Sequence, residues 1–225
     1  MPYILGLFIV FYVNSLHALT SDDVIQKILD QRVAVKDWSA IYTQETSGGL
    51  LGQGDVEMGR ITVKGEQIRK DIQRPIRKTR IQTPFVAIEK DDVSGDVITT
   101  DLTQKTGPMG VPRMTPETAL QQFAFEVVSE NATEIVMVGV QESVRMEMTV
   151  DAVLFVPIRM VMDLPGGTRM TMLHSYATVS GIPMMVDSET VVTMKMGTRT
   201  ETMKVHVVYK NLKVNTGVAD TVFVL

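Results

Sequence analysis

Cysteine is absent from all 225 residues. That excludes disulfides, thiolate catalysis, zinc–thiolate sites and the lipid-modified cysteine that tethers many exported bacterial proteins. A strong excess of one charge is also missing: the formal net charge is -4 and the pI about 5.4, so nothing global argues for a nucleic-acid partner. No G-x-S-x-G, H-E-x-x-H, phosphate-binding P-loop or dinucleotide fingerprint occurs. The sequence therefore predicts a non-enzymatic protein without a cofactor. Long hydrophobic runs are lacking too. The most apolar stretch is Ile4 to Val13, too short to span a bilayer. Followed by "NSLHALTS", it predicts a secretory signal over residues 1–20, cut after Ser15 or Ala18, ahead of one domain over 21–225. If exported, the expected mature protein is soluble and not lipid-anchored. An uncleaved anchor or a buried terminal strand is the alternative for that segment.

Tryptophan occurs once, but methionine occurs sixteen times. Eight of the methionines fall in Met-x-Met pairs: "VRMEMTV" from Val144, "IRMVMDL" from Ile158, "TRMTMLH" from Thr168 and "VTMKMGT" from Val192. In a strand, residues i and i+2 share a face, so each pair sets two thioethers side by side. The positions between and before them are mostly polar, as in Arg145, Glu147, Arg159, Arg169 and Lys195.

The rest of the chain reads as two meanders, each preceded by a helix. "TSDDVIQKILDQRVAV" has Thr20 and Ser21 as N-cap candidates, Asp22 and Asp23 in a first turn, and Val24, Ile25, Ile28 and Leu29 at helical spacing. From Asp37 the period becomes two, with a Gly-rich hairpin tip at "SGGLLGQG" whose Leu50 and Leu51 either form an exposed contact for a membrane or partner or fold back onto the sheet. A second helix is expected from Thr115, with Pro116 at N1 and a stripe of Ala119, Leu120, Phe123, Ala124 and Val127. Beyond Thr133 strands and turns alternate. The stretch "RKDIQRPIRKTR" from Arg69 is a basic run around one acid, Asp71. It is either a solvated strand face or a contact for anionic headgroups or an acidic membrane partner. The expected fold is mainly β with two or three helices: a curved antiparallel sheet with its helices on one face.

Several motifs together resemble the outer-membrane lipoprotein-sorting superfamily (LolA/LolB-like). They are the first strand "DWSAIYTQ", the Pro-led strand and D-x-x-G turn of "VPIRMVMDLPGG", the G-x-P of "SGIPMM", and the ending "VNTGVADTVF" with Asn215, Asp220 and Phe223. The resemblance implies an incomplete β-barrel of about eleven strands under a helical lid, enclosing a cavity for acyl chains. It also implies lipid or acylated lipoprotein as partner, with an inner-membrane releasing complex or a membrane surface as a further one. Methionine is flexible and polarisable, suited to a cavity that accepts varied chains. The candidate ligand-binding residues are Met146, Met148, Met160, Met162, Met170, Met172, Met194, Met196, Tyr176 and Tyr209. A module whose methionines only fill a core is the competing expectation. A Cu(I) site built from the thioethers, with His174 and His206 as further donors, is a lesser one.

Overall fold

In the computed structural model, residues 19–49, 54–103 and 120–225 are described. Residues 1–18 of the predicted signal segment and the hairpin tip with Leu50 and Leu51 lie outside the described residues, as does the start of the expected second helix.

Helix α1 (Ser21–Val33) begins where its polar residues satisfy the free backbone N–H groups of a first turn. Thr20 Oγ1 accepts from the Asp23 N–H at 3.2 Å, and the Asp23 carboxylate accepts from the Thr20 N–H at 3.1 Å, closing a capping box. Asp22 and Asp23 sit at the positive end of the helix dipole. One face of α1 buries Val24 and Ile28.

The strands follow in chain order: β1 (Asp37–Gly48), β2 (Asp55–Lys64), β3 (Gln67–Arg74), β4 (Lys78–Gln82), β5 (Val86–Asp91), β6 (Val97–Asp101), β7 (Ala124–Glu130), β8 (Glu134–Gln141), β9 (Val144–Asp151), β10 (Pro157–Leu164), β11 (Thr168–Val179), β12 (Ile182–Met196) and β13 (Arg199–Val214). They form one antiparallel sheet of thirteen strands in the order β6-β5-β4-β3-β2-β1-β13-β12-β11-β10-β9-β8-β7, not closed into a barrel. The sheet is thus larger than the eleven strands expected. β1 to β6 is one meander and β7 to β13 another, joined where β1 pairs with β13.

The second helix ends earlier than its apolar spacing suggested. Residues 120–122 are helical, but Ala124 and Val127 lie on β7. Leu120, Phe123 and Phe125 are all buried in the same cluster. The stretch "FAFEVV" fits helix and strand alternation equally well, and pairing with β8 decides it: Phe125 sits opposite Gly139. A Cβ at Gly139 would fall 2.8 Å from the Phe125 ring, so the missing side chain makes room for that ring.

The junction of the two meanders is held by side chains. Asn215, at a positive φ of 54°, accepts from the Lys36 N–H and donates to the Ala34 carbonyl, both at 2.8 Å. The buried Asp37 carboxylate accepts from the Thr216 and Gly217 N–H groups at 2.8 and 3.1 Å. The chain then crosses β2 and β3. Lys64 donates to the Val218 carbonyl at 2.9 Å, Arg69 donates to that of Val222 at 2.8 Å, and Phe223 is buried.

Candidate binding face

Strand register places the methionines in two rows that run across the sheet. Met137, Met148, Met160 and Met172 are successive cross-strand partners on β8, β9, β10 and β11. Beside them run Gly139, Met146, Met162 and Met170, and Val192 of β12 and Met203 of β13 extend that second row. Directly opposed side chains in such rows stand with Cβ atoms about 4.5–5.5 Å apart. The methionines therefore form a continuous soft surface on one face of the sheet.

Depth varies along this surface. Met137 and Met148 are 0% exposed, Met146 3% and Met162 8%, and they share a cluster with Val24 and Ile28 of α1 and with Phe123 and Phe125. Met160 and Met170 border that cluster half-buried. Met172 and Met194 are half-buried outside it, and Met196 at the end of β12 is 51% exposed. Met146, Met148 and Met162 are thus core residues under α1. Met160, Met170, Met172 and Met194 lie where its cover thins.

The same face continues with His174 and Tyr176 on β11, both half-buried. His174 Nδ1 is 3.1 Å from Ser188 Oγ, and burial pushes the imidazole below its ordinary pKa. The Tyr176 hydroxyl donates to the Pro157 carbonyl at 3.0 Å, and burial raises its phenol to about 12. Tyr209 of β13 meets Trp38 edge-on at 5.6 Å, with Val207 in the same cluster as Ala40, Tyr42 and Ile61. Burial raises the Tyr209 phenol as well.

The opposite face carries the polar positions between the methionines. Arg159 reaches Glu147 at 2.9 Å and Arg145 reaches it at 3.4 Å. Lys204 binds Glu189 at 2.7 Å, and His206 binds Asp187 at 2.9 Å. His174 and His206 therefore lie on opposite faces and cannot complete one thioether site. Among the described residues no group of three or more His, Asp or Glu side chains is placed to hold a metal ion.

On β1 to β5 the methionine-bearing face becomes charged, which the sequence reading missed. The buried Tyr42 donates its hydroxyl to Glu57 at 2.7 Å, and Lys70 lies 3.4 Å from Glu57 and 4.7 Å above the Tyr42 ring. Burial and the Glu57 bond both raise the Tyr42 phenol. Lys78 reaches Glu89 at 2.7 Å and Arg80 Nε reaches it at 2.9 Å. Hydrogen bonds from Lys78 and Arg80 hold the Glu89 carboxyl low, against the effect of burial. The signal was present in "QIRKDIQ", where Lys70 shares its strand parity with Ile68 and Ile72. The basic run is split by its pleat: Lys70, Lys78 and Arg80 turn to this face, while Arg69 turns to the other. Arg74 and Arg77 line a polar hollow of about 520 Å³ at the β3–β4 turn. No methionine lines it.

An open antiparallel sheet with α1 packed on its apolar face is a half-barrel arrangement. Solved structures resemble it. A DUF1329 family protein from Desulfovibrio piger superposes with a TM-score of 0.65 at 9% identity, covering 91% of this chain and 97% of that one. A putative outer membrane lipoprotein-sorting protein domain from Vibrio parahaemolyticus gives 0.62 at 10% identity, covering 90% and 97%. A LolA superfamily protein from Nitrosomonas europaea gives 0.60 at 12% identity, covering 92% and 99%. No family model and no curated protein matches the sequence. At these identities the likeness is one of fold.

Proposed function

We propose that this chain is a periplasmic, soluble carrier that holds the acyl part of a lipid or lipoprotein on its inner sheet face and moves it without a chemical step. The observation that carries this reading is the half-buried strip of Met160, Met170, Met172, Met194, Val207 and Tyr209, which α1 leaves partly uncovered. A face made only to fill a core would be covered throughout, as Met146, Met148 and Met162 are. The fold likeness to the lipoprotein-sorting domain of Vibrio parahaemolyticus is consistent with this role. Thioethers suit it because an unbranched side chain reshapes around different acyl lengths.

The test is displacement of a fluorescent fatty acid. Exchanging Met160, Met170 and Met172 for Leu conserves volume roughly and should leave binding in place. Met172→Glu puts a hydrated charge on the strip and should weaken binding at least tenfold. The parent protein failing to bind any acyl probe would overturn the reading.

A further inference from the structure

Resting on that reading, we infer that the charged end of the inner face, built by Lys70, Lys78 and Arg80, receives the anionic head of the bound lipid. Lys70 sits above the Tyr42 ring, in contact with the same apolar cluster that holds Val207 and Tyr209. Val207 is the cross-strand partner of Ser188, and Ser188 bonds His174, two residues from Met172 on the same side of β11. The face is thus unbroken from thioethers to cations.

Its length fits an amphiphile. β11 and β3 are five strand spacings apart in the sheet order, about 24 Å along the sheet, the scale of one extended long-chain acyl group. A tail on Met160, Met170 and Met172 brings its head to Lys70, and one strand further to Arg80.

The charges favour an oxyanion. Three cations face two carboxylates, Glu57 and Glu89, and Lys78 and Arg80 share the second of these. The next carboxylate on this face, Asp91, is engaged by the Val93 and Ser94 N–H groups of its own turn. The side chains of Lys70, Lys78 and Arg80 keep 23%, 32% and 38% of their surface open, so they are partly desolvated yet reachable. A phosphate or carboxylate there gains charge-assisted hydrogen bonds from preplaced donors. This patch is basic in its donors although the whole chain carries -4.

The test compares three probes on the full chain: monopalmitoyl glycerol phosphate, monopalmitoylglycerol with the same tail, and glycerol phosphate with no tail. The parent should bind the phosphorylated lipid roughly tenfold tighter than the neutral one, as expected for a charge-assisted bond, and glycerol phosphate only weakly. A variant with Lys70, Lys78, Arg80, Glu57 and Glu89 all changed to Gln removes cations and partners together. It should bind both lipids equally. Equal binding of both lipids by the parent overturns this inference while leaving the carrier reading intact, and needs no variant. Selectivity that survives in the variant also overturns it. Glycerol phosphate binding as tightly as its lipid would assign the patch to a free anion instead. Binding of neither lipid sinks the carrier reading itself.

Discussion

Met148 and Met172 are neighbours but one in a single row, with Met160 between them, and they should answer differently to truncation. Met148 is 0% exposed beneath α1, so Met148→Ala should cost about 2–5 kcal/mol by lost burial and the cavity left behind. Met172 is half-buried outside that cluster, and Met172→Ala should cost about 1 kcal/mol or less. Urea unfolding of both variants checks this, and equal losses would show that the uncovered strip is packed like the rest. The side taken by each methionine was legible in the sequence, because i and i+2 alternation is enforced by the pleat. Its depth was not. Depth depends on where α1 lands across strands more than a hundred residues away, and no local pattern carries that.

Individual elements are tied by carboxylates whose charge the fold favours, and these ties set an acid limit. Burial works against ionised Asp37, but N–H groups of Thr216, Gly217 and Val218 outweigh it and hold the carboxyl below 3.8. Bonds from Arg159 and Arg145 hold Glu147 below 4.5, as those from Lys78 and Arg80 hold Glu89. A depressed carboxyl contributes its stability in full above its unfolded pKa and loses it as pH falls through the folded one. His174 is depressed by burial from 6.5, so acid favours the unfolded chain first, and stability declines as pH drops below that value. Calorimetry should therefore show the melting temperature falling in two stages, one beginning near the histidine range and one below the carboxylate range. His174→Gln should remove the upper stage alone. A parent with no upper stage would mean that His174 is not held neutral in the fold. At this scale the sequence spoke clearly for α1, whose cap and stripe agree, and for the D-x-x-G turn between β10 and β11. It misled at Phe123 to Val127, where apolar residues satisfy both periods and only the edge of β8 chooses between them.

For the whole molecule, the curved antiparallel sheet followed from strand runs without αβ alternation, and the open half-barrel from the family resemblance. Which strands would be neighbours did not, since the pairing of β1 with β13 joins residues some 170 positions apart, as Trp38 with Val214. That single long-range seam has a consequence for chain order. Read from β7 through β13 and on to β1 and β6, the sheet is an uninterrupted meander in which every strand pairs with its sequence neighbour. A circular permutant opened between β6 and β7, with Leu225 joined to Leu19 through a flexible glycine–serine linker, would convert the seam into one more local connection. Loop closure then brings together strands already near in the chain, so the permutant should refold faster than the parent with the same far-ultraviolet spectrum. Stopped-flow refolding decides it, and an unchanged or slower rate would show that the β1–β13 seam is not what limits assembly. The native order has its two sheet edges, β6 and β7, joined by one connection, while the two strands of its seam, β1 and β13, lie far apart in sequence.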